Sequence, residues 1–313
     1  MLRVLYRGGL PLPLEQENGD LLWVSDWKIS SDMKLLLLKT DHLKQWRYSS
    51  FGNYWIHDIE ARRTWPMTPP SQPPITAYAV WSPTGQSIAY VAQNDIYVIP
   101  SAATASESPI RVTFNGNTSL FNGVPDWVYE EEVFASDFAL WWSPDSTKIA
   151  FLHLDETLVE EYTYPIYNPT EDSDAVVPYP GHVTMKYPKP GYDNPIVSVH
   201  VFELDRYRDA VSQGEDDAEQ HTIELDWIGK HPDENRIVFE VVWVGNTELI
   251  IKEVNRAGED GHVVYFDLAG DSLVARINGK VVRKLGKGGE EGDDGWIESV
   301  SFLVRSVCGL WAF

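Results

Sequence analysis

The chain is almost free of cysteine, because Cys308 is the only one among its 313 residues. A single thiol excludes an intrachain disulfide and a thiolate metal cluster. Long apolar runs are missing as well, because no stretch approaches the roughly 18 apolar residues that a membrane helix needs. The apolar stretch at the N-terminus is also too short for the hydrophobic region of a signal peptide. We therefore expect the chain, as written, to be soluble and to carry no signal or anchor.

Positive charge is also scarce, with 25 Lys and Arg against 47 Asp and Glu and a net charge of −22. This balance argues against nucleic acid as a partner and is compatible with cationic ligands. The Gly-x-Ser-x-Gly pattern of a nucleophile elbow is absent; a partial match, Gly270-Asp-Ser-Leu-Val274, lacks the second glycine. We expect no catalytic residue, no cofactor and no metal in this chain.

A polar turn followed by a short apolar strand recurs along the sequence. Trp81-Ser-Pro-Thr-Gly-Gln-Ser-Ile-Ala-Tyr-Val91 is nearly copied by Trp142-Ser-Pro-Asp-Ser-Thr-Lys-Ile-Ala-Phe-Leu152, about 60 residues later. The stretch around Trp27 repeats the theme with poorer turn chemistry, and Val242-Trp-Val-Gly-Asn-Thr-Glu-Leu-Ile-Ile-Lys252 is a looser copy. A period of about 50 to 60 residues with several short strands is typical of a β-propeller. The chain would supply about five blades, so we predict an all-β, partial and open propeller with unpaired edges. A β-sandwich is the alternative, but sandwiches lack near-copied turns at this spacing.

Short polar dipeptides predict where the strands turn. Asn94-Asp95 and Gly52-Asn53 each precede an apolar strand, so each predicts a tight turn. Asn278-Gly279 lies between two apolar runs and suits a type I′ hairpin. Between Glu156 and Pro195 the rhythm is interrupted by many tyrosines and prolines, which predicts an arm that projects from a blade edge.

Three adjacent carboxylates stand out in Asp126-Trp-Val-Tyr-Glu-Glu-Glu-Val-Phe134. Asp126 suits an N-cap and the glutamates favour helix, so the stretch predicts a short helix or helical turn. From its end, Glu131 and Glu132 could both reach one small cation. A solvated acidic face is the alternative that composition alone favours.

This stretch, followed by Trp141-Trp-Ser-Pro144, resembles the signature of the dipeptidyl peptidase IV family, in particular its fungal branch. Three further blocks occur in the family's order: Lys44-Gln-Trp-Arg-Tyr-Ser49, Tyr187-Pro-Lys-Pro-Gly-Tyr-Asp-Asn-Pro195 and Trp243-Val-Gly-Asn-Thr-Glu248. The resemblance implies an eight-bladed propeller that caps an α/β-hydrolase domain, with the active site between them. It also implies a secretory-pathway location, at the vacuolar membrane, at the cell surface or secreted.

The resemblance assigns roles to three residues. Glu131 and Glu132 match the glutamates that bind the free N-terminal ammonium of a peptide substrate, and Arg47 matches the arginine that reaches the substrate carbonyl. The implied function is the substrate-recognition and gating propeller of a serine-type dipeptidyl peptidase that releases X-Pro or X-Ala dipeptides. The implied partners are such a peptide and the missing hydrolase domain, with a second copy in a homodimer as a further option and no nucleic acid.

The ends of the chain depart from the family pattern. We predict that residues 1–299 form an incomplete propeller domain, that residues 300–313 are a non-family apolar tail, and that the catalytic hydrolase domain is absent. Two alternative functions stay open: a non-catalytic pseudo-peptidase that binds a protein partner through the Tyr/Pro arm, and an unrelated propeller binding module.

Overall fold

The computed structural model describes residues 21–104, 109–168, 170, 172, 174–215, 217–270, 275–287 and 295–297, together with three short backbone stretches before residue 21. Nearly all regular structure in these residues is strand. Before residue 21 lie three two-residue strands: β1 Tyr6–Arg7, β2 Leu10–Pro11 and β3 Leu14–Glu15, and β3 pairs with β4 Leu21–Leu22. No helix in the described part of the chain is long and apolar enough to span a membrane.

The first large sheet contains two antiparallel four-stranded units, which we call blades one and two. In the described residues, the strands of the two units pair with each other where β7 meets β9, at Gly52 opposite Thr76. Blade one consists of β5 Asp26–Ile29, β6 Leu35–Lys44, β7 Ser50–Asp58 and β8 Arg63–Pro66. Blade two consists of β9 Thr76–Trp81, β10 Ile88–Ala92, β11 Asp95–Ile99 and β12 Ile110–Arg111.

The second large sheet contains blades three and four. They join through a parallel pairing of β19 with β23, in which Leu225 lies opposite Ile277. Blade three consists of β13 Leu120–Asn122, β14 Leu140–Trp142, β15 Lys148–Asp155, β18 Ile196–Glu203 and β19 Thr222–Trp227. Blade four consists of β20 Arg236–Trp243, β21 Glu248–Asn255, β22 Asp260–Asp267 and β23 Arg276–Gly286. The described residues therefore hold four blades of the all-β, open propeller that the sequence predicts.

The remaining elements are short. An isolated hairpin, called the arm below, consists of β16 Glu161–Ile166 and β17 Gly181–Lys186, and it leaves blade three where an arm was predicted. One α-helix, α1 Leu204–Ser212, follows β18. Single helical turns occupy Ala102–Thr104, Tyr129–Phe134, Glu219–His221 and Asp233–Asn235.

The two near-copied turns occupy equivalent places, each between the first two strand positions of its blade. Trp81 lies opposite Ile88, and Trp142 lies opposite Ile149. The turns also touch each other, because the backbone N–H of Thr84 donates to Ser146 Oγ at 2.9 Å. Blades two and three are thus in contact at this turn, and the repeat that predicted the propeller marks a real contact between its blades.

Two of the predicted turns are wrong. Gly52 and Asn53 lie inside β7, and the chain turns earlier, between Lys44 and Ser50. Asn278 and Gly279 lie inside β23 rather than in a hairpin. Gly279 is required there by a close approach, since a Cβ at this position would lie 2.5 Å from a ring carbon of Phe266. The turn predicted near Asn94 is confirmed: Gln93 and Asn94, both with positive φ, link β10 to β11.

Substitution of Gly279 tests its close approach to Phe266. Gly279→Ala places a methyl group against the buried ring of Phe266, and overpacking of this kind costs roughly 1 to 3 kcal/mol. We expect a lower Tm in thermal unfolding. Asn278→Ala, on the exposed neighbour in the same strand, is the control and should leave the Tm nearly unchanged; equal effects of the two changes would contradict the close approach.

Candidate functional site

The predicted acidic helix lies in an insertion within the edge strand of blade three. β13 and β14 both pair with β15, one opposite Leu154 and the other opposite Phe151, so the chain leaves a single strand position and returns to it. We call residues 123–139 the β13–β14 insertion. Its base is closed by backbone hydrogen bonds from Ala139 N to Gly123 O at 2.9 Å and from Leu152 N to Ala139 O at 3.0 Å. Gly123, at this base, has a positive φ of +72°.

The helical turn in the insertion begins as the sequence predicts. The Asp126 carboxylate accepts the N–H groups of Val128 at 3.3 Å and Tyr129 at 3.2 Å, the pattern of an N-cap. The turn that follows, Tyr129–Phe134, is π-helical and ends at Ala135, whose φ is 50°. Such wide turns are rare and occur often at functional sites.

Two aromatic residues of the π-helical turn, Tyr129 and Phe134, pack against the blades. The Tyr129 side chain is buried, and its hydroxyl accepts the backbone N–H of Val238 in blade four at 3.1 Å. Phe134 packs edge-on against Tyr129 and against Trp141, with ring centroids 5.5 and 5.8 Å apart. The turn is therefore anchored to blades three and four.

The three glutamates of the turn have different environments. Glu130 is fully buried, and its Oε1 accepts the N–H groups of Tyr48 at 2.7 Å and Ser49 at 3.0 Å. Glu131 is partly buried, and Glu132 is exposed. The turn thus presents one carboxylate inwards and two outwards. Sequence reasoning missed the role of Glu130, because nothing in the sequence sets it apart from its two neighbours.

Glu130 brings the third predicted residue into place. Tyr48 and Ser49 belong to the β6–β7 turn of blade one, which is closed by a hydrogen bond from Gln45 N to Ser49 O at 3.1 Å. Arg47 lies in this turn, and its Nη2 is 2.7 Å from Glu131 Oε1. The structure therefore brings Arg47 and Glu131 into contact, while Glu132, next along the turn, forms no ion pair among the described residues.

The ion pair does not position Arg47 by itself. The Arg47 side chain is 67% exposed, whereas that of Glu131 is 15% exposed. An exposed pair of this kind contributes only about 0 to 1 kcal/mol. The two backbone hydrogen bonds to buried Glu130 have a carboxylate acceptor, and the one from Ser49 is buried, so they are the stronger constraint on the turn that carries Arg47.

Two further carboxyl groups in this region, those of Asp126 and Glu156, are buried. Burial raises the pKa of Asp126 to about 7, although the N–H groups of Tyr129 and Val128 lower it in part. Burial also raises the pKa of Glu156 to about 8, and the negative charge of Asp126 adds to the rise. Burial thus makes Asp126, within the insertion, and Glu156, just after β15, harder to ionise than a carboxyl group in water.

Residues 30–306 match the family model described as the dipeptidyl peptidase IV (DPP IV) N-terminal region. The chain belongs to this family. It is 36% identical over 276 residues to a probable dipeptidyl-aminopeptidase B of Tuber melanosporum and 33% identical over 285 residues to one of Paracoccidioides brasiliensis. These alignments cover 86% and 90% of this chain but only 28% and 29% of those relatives. The chain corresponds to the N-terminal region of the family, and its relatives are much longer.

A solved structure agrees on the fold. The crystal structure of Porphyromonas gingivalis dipeptidyl peptidase 4 superimposes with a TM-score of 0.69 at 24% identity, over 90% of this chain and 36% of that chain. The family membership and the propeller fold predicted from the sequence are confirmed. The boundary at residue 299, the apolar tail beyond it and the absent hydrolase domain stay predictions; residues 298–313 lie outside the described residues.

The link between the insertion and blade one generates a first prediction for the site. Glu130→Ala leaves the N–H groups of Tyr48 and Ser49 without their acceptor, at a cost of roughly 1 to 3 kcal/mol. We expect both amides to exchange with deuterium distinctly faster than in the unchanged protein. Glu132→Ala on the same turn is the matched control and should leave their exchange unaltered; protection that survives Glu130→Ala would contradict the link.

The raised pKa of Asp126 generates a second prediction. A carboxyl whose folded-state pKa is raised stabilises the fold below its ordinary pKa near 3.9, and this contribution is lost as the pH rises towards 7. Asp126→Asn keeps the capping oxygen but cannot ionise. From pH 5 to pH 8, the free energy of unfolding of the unchanged protein should therefore fall by roughly 2 to 3 kcal/mol relative to that of the variant.

Urea unfolding at several pH values measures this difference. Asp193→Asn, on an exposed aspartate, is the control and should run parallel to the unchanged protein. A difference between Asp126→Asn and the unchanged protein that stays constant from pH 5 to pH 8 would show that Asp126 does not titrate in this range.

Proposed function

We propose that this chain is the substrate-recognition and gating propeller of a serine-type dipeptidyl peptidase. In this proposal Glu131 and Glu132 bind the N-terminal ammonium of a peptide, and Arg47 donates to a carbonyl oxygen of the same peptide. Probable dipeptidyl-aminopeptidase B is the name that its fungal relatives carry, and release of N-terminal dipeptides, X-Pro or X-Ala, is the activity that we propose for the longer product.

The observation that carries the proposal is the charge balance at the outward face of the turn. Arg47 neutralises Glu131, and Glu132 has no counter-charge among the described residues, so the group has a net charge of −1. A peptide's α-amino group titrates near pH 7.7 to 8.0 and is largely cationic at neutral pH. Two carboxylates give it charge-assisted hydrogen bonds, and the guanidinium keeps donors free for a carbonyl oxygen.

The proposed clamp would also limit the released fragment to two residues. An extended peptide advances roughly 3.3 to 3.6 Å per residue. An amine held at the glutamates therefore brings only the second peptide bond to a nucleophile at a fixed distance. That nucleophile and the pocket for the second side chain would belong to a hydrolase domain in the longer product, since this chain has no Gly-x-Ser-x-Gly stretch.

A second role is favoured by the arm. Its strands expose Tyr162, Tyr164 and Ile166, and Lys189 lies over the Tyr162 ring at 4.6 Å. Exposed aromatic residues are common in protein interfaces. The arm is therefore the surface that would serve in a homodimer, or in a non-catalytic pseudo-peptidase that binds a protein partner. We also propose that the longer product lies in the secretory pathway, because the family resemblance implies this location.

Kinetics of the full-length protein that contains this chain test the proposed clamp. Glu131→Gln and Glu132→Gln should each lower kcat/KM for a chromogenic Gly-Pro substrate at least roughly tenfold, since a lost charged contact costs about 1.5 to 3 kcal/mol. Glu161→Gln, on the exposed arm, is the control and should have little effect.

Two further results sharpen this test. An N-acetylated substrate should be a poor substrate for the unchanged protein and should lose no more with either glutamine variant, because it presents no ammonium. Residues 1–313 expressed alone should release no chromophore. Unchanged kinetics in both variants would remove the glutamates from the mechanism, and turnover by the isolated chain would require a nucleophile within it.

A further inference from the structure

A second cluster of ligand-type side chains lies in blade four, away from the acidic insertion. Glu253 on β21 and His262 on β22 are direct cross-strand partners, so their side chains share one face of the blade. His231 comes from the connection between β19 and β20, which carries it over this face. Three separate elements therefore contribute one side chain each to a single point.

The donor atoms of this cluster converge. Glu253 Oε1 lies 2.8 Å from His262 Nδ1 and 3.5 Å from His231 Nδ1. One ligand atom from each of the three residues can be chosen so that all lie within 4.8 Å of one another. In a tetrahedral zinc site with bonds near 2.0 to 2.2 Å, the ligand atoms are roughly 3.3 to 3.6 Å apart, so small side-chain rotations would suffice.

The cluster has bonding capacity that the described residues leave unused. Glu253 is fully buried, and its Oε2 has no hydrogen-bond partner among them; the same holds for His231 Nδ1. The side chains of His231 and His262 are only 10% and 12% exposed. Buried polar atoms are rarely left without a partner, and a buried carboxylate is costly without a cation.

Two basic side chains near His231 in the sequence are engaged elsewhere. Lys230 Nζ lies 2.6 Å from Asp226 Oδ1, and Arg236 Nη2 lies 2.7 Å from Asp233 Oδ1. Within the described structure, no Lys or Arg side chain forms an ion pair with Glu253, and the two histidines lie beside it. Its Oε1 also accepts the indole N–H of Trp227 at 2.9 Å, which fixes the carboxylate plane. A cation at Oε2 would complete this group.

The contact on the other ring nitrogen of His231 resembles that of histidines that bind a metal. His231 Nε2 lies 3.4 Å from Asp260 Oδ2, on the side of the ring away from Glu253. Histidines that bind a metal through one ring nitrogen commonly donate the other N–H to a carboxylate, which fixes the tautomer and the ring orientation. With the proton on Nε2, the Nδ1 lone pair of His231 points towards Glu253.

We propose that His231, His262 and Glu253 bind a divalent transition metal ion, with Zn²⁺ as the best match. The ligands are the Nδ1 atoms of both imidazoles and the carboxylate of Glu253, and water takes the fourth position. Two imidazoles with one carboxylate suit zinc, whereas Ca²⁺ and Mg²⁺ prefer all-oxygen sites. Asp260 is a positioning residue. The ion would fasten the β19–β20 connection of blade three onto the β21–β22 hairpin of blade four.

Calorimetric titration of the chelator-treated protein with Zn²⁺ tests the site. We expect one ion per chain with a micromolar or tighter Kd, and a Tm that rises with Zn²⁺ concentration because the ion binds the folded state. His231→Gln and His262→Gln should each weaken binding at least tenfold. His182→Gln, on an exposed histidine of the arm, is the matched control and should bind like the unchanged protein.

Two measurements keep the test decisive if a ligand variant fails to fold. Asp260→Asn changes a side chain that is about half exposed and should weaken zinc binding roughly tenfold while leaving the zinc-free Tm unchanged. X-ray absorption of the zinc-loaded unchanged protein should show two imidazole ligands. The proposal is overturned by failure to bind one Zn²⁺ per chain, by a zinc shell without imidazole, or by unaltered affinity in the His231→Gln, His262→Gln double variant.

Discussion

The buried carboxylate of Glu130 is the constraint on which the arrangement of the acidic site depends. It lies in an insertion of blade three, yet the two N–H groups that it binds belong to a turn of blade one. Hydrogen bonds to a charged acceptor are stronger than those to a neutral one, and loss of the acceptor leaves both N–H groups, one of them buried, without their partner. Arg47 owes its place beside Glu131 to this inner contact more than to the exposed ion pair that the two side chains form.

A run of three identical residues therefore divides into separate tasks. The first glutamate joins two blades, the second pairs with an arginine, and the third remains open to solvent. The division follows from the geometry of the turn, because successive residues of a helical turn point in diverging directions. Anchoring of Tyr129 on blade four then decides which of the three directions is inwards.

Much of this could be predicted from the sequence, and the reasons are physical. Turn chemistry repeated in Trp81-Ser-Pro and Trp142-Ser-Pro indicated blades, and the capping Asp126 indicated a helical turn. Asn278-Gly279 misled, because the same dipeptide serves in a hairpin or beneath the ring of Phe266, and only the packing distinguishes the two. His231, Glu253 and His262 carried no signal, since their spacing matches no metal motif and only the blade register brings them together.

The β13–β14 insertion has a consequence for how such a protein can change. Because both of its ends are tied to one point of β15, residues added or removed between Gly123 and Ala139 leave the pairing of the blade as it was. Apart from Tyr129 and Glu130, whose contacts reach blades four and one, the insertion can therefore vary in length and composition while the sheet that supports it stays constant. A change in its surface residues is therefore expected to alter the acidic surface without shifting the strand register of blade three.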